Sequence, residues 1–99
     1  MSSGTHNLNR ILQNDGTATW TAGGLQMNGG TFNNNDSFTA NSAGTLQCLG
    51  TGGTNAFNNN VGASFNKQGT GTVTFTTSTT GTAFNNSSTV NVQDGTLRF

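Results

Sequence analysis

An apolar residue followed two positions later by asparagine occurs four times in this chain. The four copies are Leu12-Gln13-Asn14, Phe32-Asn33-Asn34, Phe57-Asn58-Asn59 and Phe84-Asn85-Asn86. Their intervals of 20, 25 and 27 residues fall in the range typical of solenoids, where each unit buries its apolar face only against its neighbours. Six and eight residues beyond each marker stand Ala18 and Trp20, Phe38 and Ala40, Ala63 and Phe65, and Val90 and Val92. A third pair follows a glycine: Leu25 and Met27, Leu46 and Cys48, Val73 and Phe75, Leu97 and Phe99. Three apolar segments therefore recur in the same order four times.

Each segment alternates with period two, and none is long enough for an ordinary helix, so the segments read as strands. Asp15-Gly16, Ala43-Gly44, Gln68-Gly69 and Asp94-Gly95 mark the bends between them. Composition explains why only a repeat can fold here. Thr, Asn, Gly and Ser fill 58 of the 99 positions, hydrophobic residues make up 29% and charged residues 6%. Disordered chains pair low hydrophobicity with high net charge and proline, whereas this one has a net charge of zero, no proline and seven Phe. The expected fold is all-β: a right-handed parallel β-solenoid of about four coils, three short strands per coil, rising about 4.8 Å per coil. Coils start near 12, 32, 57 and 84, so residues 12–99 form the repeats and the polar residues 1–11 a partial cap.

In such a fold each inward side chain sits over its counterpart in the next coil. Leu12, Phe32, Phe57 and Phe84 are expected to form one core stack, and Trp20, Ala40, Phe65 and Val92 another. Asn14, Asn34, Asn59 and Asn86 align as a structural amide ladder at a bend, each donating to the carbonyl on one side and accepting from the other. Phe99 stops inside a coil with no polar residue after it, so both ends present apolar cross-sections and unpaired strand edges. Ends of like shape favour open head-to-tail stacking, and the expected partners are copies of the chain itself.

The run from Phe84 to Phe99, FNNSSTVNVQDGTLRF, resembles the repeat of large secreted bacterial β-solenoid surface proteins, the autotransporter-passenger and filamentous-haemagglutinin-like adhesins. Gly69-Thr-Gly-Thr-Val-Thr-Phe75 is similar to the companion segment of those repeats. The likeness covers residues 12–99 and is weakest in the first coil, where Leu12 and Gln13 replace the Phe-Asn pair. It implies an extracellular or bacterial cell-surface location and a role as stalk or adhesin, and it supplies no catalytic residues.

The ionisable side chains are few: His6, Arg10, Asp15, Asp36, Lys67, Asp94 and Arg98, with no Glu. Solenoid enzymes acting on polysaccharides need clustered carboxylates as acid and base or as calcium ligands. Asp15 and Asp36 fall close enough in register to lie on adjacent coils, but the next coils offer Asn60 or Val61 and Ser87 or Ser88 there. His6 reads as a solvated tail residue, and Cys48 as a small inward filler without a paired base. No catalytic, cofactor or metal site is expected. Zero net charge removes the footprint of a nucleic-acid binder, and no apolar run approaches a membrane span. The outward row Thr70, Thr72, Thr74 and Thr76 raises an alternative, a carbohydrate- or ice-binding surface with glycans as partners, although its equivalents Gln26, Gln47 and Arg98 break the array. A phage tail-fibre segment is a further alternative.

Overall fold

The computed structural model describes residues 1–77 and 81–99. Among them the alternating segments form 13 strands and no helix. They are β1 Thr5–Leu8, β2 Ile11–Asn14, β3 Thr17–Trp20, β4 Gly24–Asn28, β5 Thr31–Asn34, β6 Ser37–Asn41 and β7 Thr45–Gly52. There follow β8 Ala56–Asn59, β9 Ser64–Gln68, β10 Thr72–Thr77, β11 Ala83–Asn86, β12 Thr89–Val92 and β13 Thr96–Arg98. All pairings are parallel and build three sheets, in the orders β1-β4-β7-β10-β13, β2-β5-β8-β11 and β3-β6-β9-β12. One strand from each sheet makes a coil. The chain is a parallel β-solenoid of about four coils, with β13 beginning the next turn. The stack also starts before Leu12, because β1 lies within the polar N-terminal segment and pairs with β4.

The core is a set of columns. Phe32 stacks on Phe57 at 4.7 Å and Phe57 on Phe84 at 5.5 Å, with ring planes within 4° and 12° of parallel. A second column runs Ala18–Phe38–Phe65–Val90, in which Phe38 and Phe65 stack at 5.4 Å. The two columns meet edge to face, as Phe38 does against Phe57 at 5.1 Å and 82°. Rings stacked offset within a column and edge-on between columns are the favoured quadrupole arrangements.

The second column corrects the expected stacking. Phe65 stands over Phe38, not over Ala40, and the column of Trp20 and Ala40 continues through Lys67 to Val92. The cause is a two-residue insertion in the third coil. Val61 and Gly62 form a turn closed by the Ala63 amide on the Asn60 carbonyl at 3.0 Å, with Gly62 at φ 86°, a conformation that costs a residue with a Cβ. The strand after it starts two residues later. A similar shift separates β4 from β7, where Leu25 pairs with Cys48 and Met27 with Gly50. Leu46 pairs with Val73 and Cys48 with Phe75.

Burial falls off at both ends of the stack. Phe32, Phe57 and Phe65 are buried and Phe84 is half-buried, while Trp20 is buried although it lies in the first coil. Leu12 and Val92, expected in the core, are 46% and 51% exposed. Both face inward in their columns, but each has a neighbour on one side only.

Candidate functional site

Polar side chains are organised mainly along the stack. The inward amides of Asn14, Asn34, Asn59 and Asn86 form one continuous chain. Each Nδ2 donates to the next Oδ1, at 2.8, 2.9 and 2.9 Å. The same nitrogens reach backbone carbonyls at the bend, Asn34 to Ser64 and Asn59 to Thr89, both at 2.9 Å. Asn34 and Asn59 are buried, Asn14 is half-buried and Asn86 is exposed. Outward amides form further ladders of opposite polarity: Asn85 donates to Asn58 and Asn58 to Asn33, each at 2.9 Å. Asn60 donates to Asn35 at 2.7 Å and Asn35 to the Asp15 carboxylate at 2.9 Å.

Among the described residues, Lys67, Asn55 and Thr82 are buried polar groups that escaped the sequence reading. Lys67 is 1% exposed, and its ammonium donates to the carbonyls of Gln68, Gly69 and Asp94 at 2.8, 2.7 and 3.2 Å. Burial lowers its pKa, and the Asp94 charge partly opposes that shift. A cation is tolerated here because three bend carbonyls replace its water. The available signal was that Lys67 stands at the inward parity of Phe65. Asn55 accepts from the Gly29 and Gly30 amides at 2.8 and 3.2 Å and donates to the Gly52 and Gly81 carbonyls at 3.0 and 2.9 Å. It ties together the corner where the connections vary in length. Its position immediately before the Ala56-Phe57 pair was the available signal.

The candidates for chemistry stay apart. Asp15 is held by the amides of Asn35 and Gln13, which lower its pKa, and Asp36 is exposed on the next coil. His6 is part of β1 and not of a loose tail. It pairs with Leu25, is half-buried, and its Nε2 donates to the Ser2 carbonyl at 3.0 Å. Cys48 is buried between Leu25 and Phe75, and burial pushes its thiol up to about 12, which makes it a poor nucleophile. No group of three or more His, Cys, Asp or Glu comes together among the described residues.

The outward surfaces carry few charges. The threonine row pairs Thr45 with Thr72 and Thr96, and Gln47 with Thr74 and Arg98; the Thr76 side chain lies outside the described residues. A more uniform column runs along the third sheet, Thr17–Ser37–Ser64–Thr89, beside Thr19–Thr39–Asn66–Asn91.

A concavity lies at the N-terminal end of the stack. It has a volume of about 390 Å³ and is lined chiefly by Leu12, Ala18, Phe32, Phe38 and Met1. The opposite end exposes Val92 and Phe99 beside the half-buried Phe84, Val90 and Leu97. These two apolar faces are the candidate functional surfaces. Comparison with protein-family models, with curated proteins and with solved structures gives no match for this chain.

Proposed function

We propose that the chain is a non-catalytic structural segment of a secreted or bacterial cell-surface stalk or adhesin, which stacks end to end. One observation carries this reading: amide groups bond to one another along the stack axis, while the C-terminal end of that axis exposes apolar side chains and the N-terminal end holds an apolar hollow that Met1 covers in part. Inter-coil ladders suit a scaffold, since an amide already donating and accepting within its ladder has less capacity left for a ligand. Open parallel edges and apolar columns suit a partner that continues the same columns.

Sedimentation velocity on the purified 99-residue chain, followed by electron microscopy, tests the reading. End-to-end stacking gives a ladder of species that lengthens with concentration. A single 10.1 kDa species throughout would overturn it, and a closed trimer would favour the tail-fibre alternative. The second reading, a carbohydrate-binding surface, is favoured by the uncharged hydroxyl column Thr17–Ser37–Ser64–Thr89. Reproducible retention on a glycan panel, abolished by Ser37→Lys and Ser64→Lys, would establish it in place of a purely structural role.

A further inference from the structure

We infer that residues 1–8 are a displaceable cap, and that β13 of one copy takes the place of β1 beneath β4 of the next. This rests on the end-to-end reading above and concerns how the joint is made.

The strand arithmetic requires a choice. Among the described residues, thirteen strands in three sheets are four full coils plus one strand, and the extra strand belongs to the sheet of β1 and β13. A flush joint sets β2 of the second copy on β11 and β3 on β12. The columns of the second and third sheets then continue: Leu12 meets Phe84, Ala18 meets Val90, Trp20 meets Val92, and the Asn86 amide reaches Asn14 in the ladder sequence. In the first sheet, by contrast, Phe99 comes level with Leu25, and Met27 gives up its contact with Leu8. In that arrangement β1 of the second copy and β13 of the first claim one slot, the edge of β4. Keeping both strands would leave a gap in the second sheet and expose β11 and β2.

The structure favours β13 for the slot. The column Phe75–Cys48–Leu25 ends in His6 at the N-terminal face, and at the other face the Phe99 ring stacks on Phe75 at 6.0 Å. In the flush joint Phe99 therefore replaces His6 beneath Leu25, and an exposed aromatic ring displaces a half-buried polar one. Phe99, 71% exposed in the single chain, becomes covered on both sides. Donation of a strand to an open edge, with side-chain complementarity setting register, is a general mode of association.

Residues 1–8 are held from one side only, since β1 is an edge strand bonded to β4 alone in its sheet. The Thr21 amide donates to the Met1 carbonyl at 2.9 Å, the Met1 amine to the Thr19 carbonyl at 2.6 Å, and the Gly24 amide to the Gly4 carbonyl at 3.1 Å. Met1 lines the hollow beneath Leu12 and Phe38, and Leu8 is the one apolar side chain of β1 that is buried. The segment thus shields the face on which the next copy would sit. A capped face is a fraction of the population unavailable for joining, so loosening the cap raises the apparent affinity of association.

The test compares the parent with Leu8→Asp, which loosens β1, His6→Phe, which secures it, and Phe99→Asp, which disables the incoming strand. Circular dichroism establishes that each is folded, and sedimentation gives the concentration at which multimers appear. We expect that concentration to fall by roughly tenfold or more in Leu8→Asp, to rise in His6→Phe, and multimers to be lost in Phe99→Asp. If Leu8→Asp does not fold, His6→Phe carries the same decision. Stacking at one concentration in the parent and His6→Phe overturns the cap while leaving end-to-end assembly standing. Absence of multimers in every variant and in the parent removes both.

Discussion

The middle coils and the end coils are built from the same pattern yet differ sharply in burial. Phe57 lies among the rings of Phe32, Phe38, Phe65, Phe75 and Phe84, whereas Phe99 meets the rings of Phe75 and Phe84 and is mostly exposed. Asn59 is buried with both ladder neighbours present, and Asn86 is exposed with one. Residue type does not separate these pairs; the number of coils stacked on them does. In a solenoid, stability is approximately a sum over repeats and their nearest-neighbour interfaces. A residue therefore contributes according to its place in the stack.

The largest expected difference comes from the rings. Phe57→Ala should cost roughly 3–5 kcal/mol, because the cavity is closed in by rings that cannot collapse into it. Phe99→Ala should cost less than about 1 kcal/mol in the unassembled chain, since it removes a ring already in water. Urea titration of dilute protein measures both. Equal costs would mean that burial within the stack does not set the energy.

Cys48 extends the comparison to pH. Its thiol has an ordinary value of 9.0 and is raised by burial to about 12. The folded value lies above the unfolded one, so the contribution is intact below pH 9.0 and is lost as the pH rises toward 12. Over that window the Cys48 contribution should fall by roughly 4 kcal/mol, at about 1.4 kcal/mol per unit. Lys67 works in the opposite direction. Its folded value is lowered, so between that value and 10.5 the unfolded chain binds more protons and stability rises with pH. Cys48→Ala should therefore change the slope from falling to flat or rising. A variant that falls as steeply as the parent would place the alkaline sensitivity elsewhere.

The repeat was legible because it is carried by period-two alternation, which survives changes in side chain. The amides of Asn14, Asn34, Asn59 and Asn86 could be placed because they keep a fixed distance from the preceding apolar residue, and strands of equal length preserve that distance. The column beyond them was misjudged because counting from the marker takes every bend to be the same length. The Val61-Gly62 turn adds two residues, which keeps each side chain facing inward but moves it one place along the strand. A shift of two leaves no trace in a binary pattern. Lys67 was missed for a related reason. Its inward parity was visible, but the carbonyls of Gln68, Gly69 and Asp94 that receive its ammonium converge only when two bends are stacked. Exposure of Leu12 and Val92 depends on where the stack stops, and no local pattern encodes that.

A smaller effect is expected in the ladder. Asn59→Ala removes a buried amide that donates to Asn86 and Thr89 and accepts from Asn34, so the Asn34 nitrogen loses one partner. The cost should be about 1–3 kcal/mol. Asn86→Ala takes one acceptor from the buried Asn59 nitrogen, which keeps the Thr89 carbonyl, and its own remaining partners are exposed, so it should cost less, about 0.5–1 kcal/mol. If the two asparagines matter equally, the ladder contributes through local bend geometry, which all four share, and not through continuity along the stack.

The smallest expected effect concerns Val92, which shares a column with Trp20, Ala40 and Lys67 but has nothing above it. Val92→Thr keeps the β-branched shape that suits a strand and exchanges one methyl for a hydroxyl. On a side chain 51% exposed, the change in a dilute single chain should be within about 0.5 kcal/mol. The same substitution should matter more once the end is covered. In a flush joint Val92 lies against Trp20 of the next copy, and the hydroxyl would be buried there without a partner. Its cost should then grow with protein concentration, toward the 1–3 kcal/mol of an unsatisfied buried group. Urea titrations of parent and Val92→Thr at two well-separated concentrations read this directly. An effect that stays small at both would mean that Val92 remains in solvent and that the end coils never become middle coils. A large effect already in the dilute chain would mean that the C-terminal face is covered by the chain itself.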